Sequence, residues 1–219
     1  MFVFLVSFVL FNAFNCVHIN QLIKDMSVEE LAMQLDMYQG DLFASHGQLD
    51  LDLVEKNIEK GMLGVIHDFK APVHILNRLQ RLALDRHHGI PILVVEECLH
   101  GLLAENKTVF PQAIALASTF NVDLVERVGR AIASEARASG IHFCLSPVLD
   151  LARDPRYTAL TDYRWGRVEE TYGECPYLAS QIGSAMVKGL QNNGNLRNDS
   201  VVAEIKHFAQ HGSPAGGRV

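Results

Sequence analysis

Basic charge is scarce in this sequence. Nineteen Lys and Arg stand against 25 Asp and Glu, a formal charge of −6. That balance excludes the basic stripe of a nucleic-acid binder and the polybasic patch that docks on anionic lipid. Cysteine is also sparse: four in 219 residues make no disulfide framework, and none has the spacing of zinc ligands. No G-x-G-x-x-G follows an early strand, so the dinucleotide fingerprint is missing. No metal set or cofactor motif is legible. What remains, 48% apolar and 20% charged residues, is ordinary for a globular protein. The length suits one domain of roughly 150–250 residues.

The first segment departs from that average. "MFVFLVSFVLFNAFNCVH" carries no charged side chain, and the first one in the chain is Lys24. It is short for a span of about 20 residues and suits the apolar region of a secretory signal, residues 1–17. Cleavage is expected between Ala13 and His18, with no stable membrane association afterwards. A signal anchor and a buried terminal helix are the competing readings. Secreted or lysosomal placement follows from the signal reading. Cys16 then leaves or becomes terminal, and Cys98, Cys144 and Cys175 form one bridge or stay as thiols. Asn106 in "NKT" and Asn198 in "NDS" become glycosylation acceptors only on the secretory route.

Beyond His18, helical and extended patterns alternate. Ser27 and Glu30 have capping-box spacing at the head of "SVEELAMQLDM". "LGVIHDF" reads as a strand, "APVHILNRLQRLALDRH" as a helix, and "IPILVVEE" as a strand buried on both faces. "AIALAS" reads as a weaker strand. The helix "VDLVERVGRAIASEARASG" stops at Gly140, "IHFCLSPVLD" is extended, and Pro176 opens another helix. "VVAEIKHF" is the fifth strand. Such alternation over short links means βαβ units and a parallel sheet. The fold expected is α/β, an incomplete TIM-like barrel of roughly the first five strands, since a full one needs about 250 residues.

Polar residues gather where the strands end, which is where barrel sites are built: Glu96 and Glu97, Asp150, Lys206 and His207. Carboxylates accept several hydrogen bonds from sugar hydroxyls, although a loop salt bridge is the plainer reading of Glu96–Glu97. Arg153, Arg156, Arg164 and Arg167 lie among acids around Trp165. Arginine forks clamp hydroxyls and an aromatic ring offers a sugar platform, while the alternative is a surface ion network. Lys206 and His207 would alternate faces inside a strand, but a turn at its end can bring both to the rim.

Taken in order, "INQLIKDMSVEELAMQL", "GIPILVVEECLHG", "TVFPQAIALASTFNVDLVERVGRAIASEARASGI", "SPVLDLARDPR", "WGRVEETYGECPYL" and "KHFAQHGSPAGGR" resemble glycoside hydrolase family 3, the β-glucosidase and β-xylosidase family. The resemblance implies an N-terminal TIM-like barrel, here residues 18–219, with a second α/β sandwich domain absent. It implies exo-acting, retaining hydrolysis of β-linked glucosides or oligosaccharides. By position it assigns sugar binding to Glu97, Arg167, Lys206, His207 and Arg218. Family chemistry uses an aspartate nucleophile and a glutamic acid about 5–5.5 Å apart. Both are expected beyond Val219, so no catalytic residue is assigned within the chain. Two local departures stand out: "YTALTDYR", Tyr157 to Arg164, interrupts "RDPRWGR", and Cys175 replaces the aspartate of "GEDPYL". The competing expectations are a fragment that binds sugar without turnover and one that does not fold, its barrel edges being open.

Overall fold

The structure is a computed structural model and describes residues 19–45, 48–69, 71–153, 165–209 and 211–212. The expected signal segment, the insertion Tyr157 to Arg164, Arg156 and Arg218 lie outside the described residues.

In chain order the elements are α1 (Ile19–Asp25), α2 (Val28–Met33), β1 (Met37–Gln39), β2 (Ala44–Ser45), β3 (Gln48–Leu49), α3 (Leu51–Glu59) and β4 (Val65–His67). They continue with α4 (Val73–Asp85), β5 (Leu93–Glu96), α5 (Ala113–Ala117), α6 (Val122–Ala138), β6 (Phe143–Cys144), α7 (Pro176–Leu190) and β7 (Val202–Ala203). Five strands form one sheet in the order β1-β4-β5-β6-β7, every pair parallel. Sequential parallel strands with helical crossovers make the arc of an incomplete TIM-like barrel. β2 and β3 form a separate antiparallel pair.

The sheet holds five strands, but not the five read from the sequence. "AIALAS" is helical: Ala113, Leu116 and Ala117 are buried at i, i+3 and i+4, a helix face rather than a strand alternation. Its place is taken by β1, an edge strand whose burial pattern is exposed, intermediate, exposed. The helix of "SVEELAMQLDM" stops at Met33, and "IHFCLSPVLD" and "VVAEIKHF" are strand only at Phe143–Cys144 and Val202–Ala203, but the two helix-end signals at Ser27 and Gly140 hold. Ser27 accepts from the Glu30 N–H while Glu30 returns a bond to the Ser27 N–H, completing the capping box. Gly140, at φ 87°, stands just past the C-cap of α6, where a side chain would be strained.

The main core lies between the sheet and its helices. Ile66, Val94, Cys144 and Val201 meet Leu79 of α4, Ile132 of α6 and Ile182 of α7. Each fully buried aliphatic side chain contributes about 1.5–3 kcal/mol. Val95, two residues before Glu97, is buried outside this cluster, so β5 turns Val94 outward and Val95 toward the concave face. Helices α6 and α7 cross closely: a Cβ on Gly189 would lie 2.3 Å from the Glu126 carbonyl oxygen.

Cys98 and Cys144 are disulfide-bonded with Cα atoms 5.5 Å apart, tying the end of β5 to β6. Cys175 is free and exposed at the N-cap of α7, where its side chain makes no capping bond. Among the described residues no helix is long and apolar enough to cross a membrane.

Candidate sugar-binding site

β5 ends at Glu96, so the chain leaves the sheet just as Glu97 arrives. Beyond β6 and β7 the two chains stay paired: Val148 bridges Lys206, the Leu149 N–H donates to the Lys206 carbonyl, and the Lys206 N–H donates to Pro147. This extra rung sets Asp150 beside His207. The Lys206–His207 peptide is cis. Both side chains reach the same end of the sheet.

Lys206 is 9% exposed, and its Nζ donates to Glu97 Oε2 at 2.5 Å. Two residues 109 apart in sequence therefore form one ion pair. His207 Nδ1 lies 2.7 Å from Asp150 Oδ2, and the His207 N–H donates to the same oxygen at 3.3 Å. The other carboxylate oxygen, Oδ1, accepts from the Gly212 N–H at 3.3 Å. Asp150 thus braces both His207 and Gly212.

Arg167 is gripped by a fork. Its Nε donates to Glu170 Oε1 at 2.7 Å and its Nη2 to Oε2 at 2.5 Å. Those bonds to Glu170 raise the guanidinium's proton affinity above its usual range, against an opposing effect of burial. Its Nη1 faces two imidazoles, His207 Nε2 at 3.5 Å and His211 Nε2 at 3.4 Å. The imidazoles themselves sit 4.3 Å apart, centroid to centroid. Burial, then the neighbouring His207, lowers the His211 pKa, so a neutral ring faces the guanidinium.

The structure therefore brings together Glu97, Arg167, Lys206 and His207. Arg218 lies outside the described residues. Trp165 corrects an expectation: it is 4% exposed and packs edge-on against His211, 5.7 Å between centroids, so it is no open sugar platform. Sequence reading assigned no role to Glu170, His211 or Asp150. Asp150 carried a signal, an acid after the apolar run "PVL" at a strand end. Glu170 and His211 had none stronger than the charge around them.

A cavity of about 270 Å³ is lined by Asp150, Arg153, Lys206 and His207 together with Ile205 and the fully exposed Phe208, while Glu97 and Arg167 stand off its wall. Polar groups converging on an apolar wall can hold a small polar ring. Among the described residues no group of three or more His, Cys, Asp or Glu could hold a metal ion. The two sequon asparagines, Asn106 and Asn198, are both exposed. Thr108 donates its N–H and hydroxyl to Glu135, at 3.0 and 2.7 Å, pinning the loop that carries Asn106.

Residues 27–217 match the Glycosyl hydrolase family 3 N terminal domain. This chain belongs to glycosyl hydrolase family 3. Over 200 residues the family 3 chain is 32% identical to a periplasmic β-glucosidase of Salmonella typhimurium, covering 91% of this chain and 24% of that protein. It is 38% identical over 161 residues to a β-xylosidase of Formosa agariphila, covering 70% of this chain and 21% of that one. The β-glucosidase of Listeria innocua, solved in complex with glucose, superposes with a TM-score of 0.71 at 31% identity, over 89% of this chain and 27% of its own. This chain spans about a quarter of such relatives.

Proposed function

We propose that this chain forms the glycone-binding part of an exo-acting, retaining β-glycosidase, with β-linked glucosides as first substrates and xylosides as second. The observation that carries the reading is the meeting of Glu97, Lys206, His207 and Arg167 at one end of the sheet. A carboxylate, an ammonium, an imidazole and a guanidinium offer donors and acceptors in the mixture a ring of hydroxyls requires. Glucose bound to the Listeria relative supports the choice of sugar. Arg218 is assigned to the same subsite by its place in the family motif. No residue of the chain is assigned as nucleophile or general acid, so turnover by these 219 residues alone is not expected.

The test is a calorimetric titration of the chain with glucose and with xylose, alongside an assay on nitrophenyl β-glucoside. Binding without hydrolysis is expected. Retaining turnover by the chain would overturn the assignment of the catalytic carboxylates. Absence of sugar binding by a folded chain would overturn the site.

The secretory reading extends the same proposal: residues 1–17 are a cleaved signal, and the protein is secreted or lysosomal. A buried disulfide suits an oxidising compartment, and both sequon asparagines are exposed. Expression in a secreting eukaryotic cell should yield a new N-terminus between Ala13 and His18 and a mass that falls on endoglycosidase treatment. An intact N-terminus inside the cell would contradict it.

A further inference from the structure

The contacts around His207 favour one of its two neutral tautomers. A carboxylate can only accept and a guanidinium can only donate. Asp150 Oδ2 stands 2.7 Å from Nδ1, and Arg167 Nη1 stands 3.5 Å from Nε2. Both contacts are hydrogen bonds only if Nδ1 holds the proton and Nε2 presents its lone pair. Free imidazole prefers the opposite tautomer, so the arrangement is imposed by its surroundings.

The counting continues around Arg167. Of its five N–H groups, two are taken by Glu170, and the two on Nη1 face His207 and His211. A sugar hydroxyl that inserts between Nη1 and Nε2 takes the place of their long direct contact, accepting from the arginine and donating to the histidine. It can satisfy both at once. With the other tautomer, two donors would face it and its own proton would have no acceptor there.

We propose that Asp150 is a positioning residue of the sugar subsite: it holds His207 in the Nδ1–H tautomer, so that Nε2 and Arg167 read one hydroxyl as acceptor and donor together. Asp150 is suited to this by seclusion, its side chain being 2% exposed, and by the two backbone N–H groups, of His207 and Gly212, that fix its oxygens. The proposal deepens the sugar-binding reading and rests on it.

The test is long-range 1H–15N correlation spectroscopy of the 219-residue chain labelled at histidine, at about pH 8, where exposed imidazoles are neutral. A His207→Gln variant assigns the resonances. Wild type should show the Nδ1–H pattern. Asp150→Asn keeps an oxygen acceptor and should retain it, while Asp150→Ala should shift His207 toward Nε2–H. Glucose affinity should fall about tenfold in Asp150→Ala and less than roughly threefold in Asp150→Asn, the difference expected of a charge-assisted bond that orients its partner. A purely bracing role would weaken the fold without moving the tautomer, so an Nδ1–H pattern surviving in Asp150→Ala overturns the proposal. If that variant does not fold, the wild-type spectrum decides, since an Nε2–H pattern there overturns it outright. The tautomer is read without sugar. A wild type that shows Nδ1–H yet binds no glucose therefore condemns the sugar reading and leaves the Asp150–His207 relationship standing.

Discussion

The Lys206 ammonium and the Glu97 carboxylate meet at 2.5 Å, but they are not equally buried: the lysine side chain is 9% exposed and the glutamate 40%. Removing either partner strands the other in a different medium. Glu97→Ala leaves a buried cation without its counter-charge and should cost about 2–3 kcal/mol of stability. Lys206→Met leaves a carboxylate that water can reach and should cost under about 1 kcal/mol. Urea unfolding of both variants checks the asymmetry, and equal losses would contradict it. Sugar affinity should fall in both.

The Cys98–Cys144 bridge closes a loop of 46 residues and joins the strand end beside Glu97 to its neighbour. Loop closure of that length stabilises by about 4 kcal/mol at most, and typical losses are about 2–4 kcal/mol. The Cys98→Ala, Cys144→Ala double variant should unfold at lower urea with a somewhat steeper dependence on denaturant, because its unfolded chain is no longer held compact by the bridge. Reductant should lower wild-type stability by a similar amount and leave the double variant unaffected. Equal stability of wild type with and without reductant would contradict the bridge.

His142 gives the fold a pH dependence. Burial, and then the nearby Arg137 charge, push its pKa from the ordinary 6.5 down to about 4, and its Nδ1 accepts the Val94 N–H. The unfolded chain therefore binds a proton on His142 that the folded chain refuses. The stabilisation is complete above pH 6.5 and is lost as pH falls toward 4, by about 2–3 kcal/mol given that the ring is only partly enclosed. Urea melts at neutral pH and at about pH 4.5 should differ by that much beyond the carboxylate effects, and His142→Gln should flatten the difference. A wild-type slope no steeper than the variant's would contradict it.

Much of this was legible beforehand, for identifiable reasons. Helices α4, α6 and α7 have long 3.6-residue patterns, and their ends are marked by Gly140 and Pro176. Strands β4 and β5 are buried runs. By contrast β1 pairs along a single edge and carries an exposed Met37, so it has almost no apolar signature. "AIALAS" misled because a short apolar run has no period long enough to separate strand from helix. The residues proposed to bind sugar were visible through their motifs. The residues that hold them were not: Glu170 and His211 acquire their roles only when Arg167 is brought across 40 residues to His207.

The central claim is that Glu97, Arg167, Lys206 and His207 form one sugar subsite. The most direct measurement is titration of the 15N-labelled chain with glucose, followed at the backbone amides of Glu97, Arg167 and His207. The account predicts saturable shifts at all three with a common dissociation constant, abolished together by Lys206→Met while the variant stays folded. Shifts absent from a folded wild type, or an undiminished affinity in Lys206→Met, would contradict it.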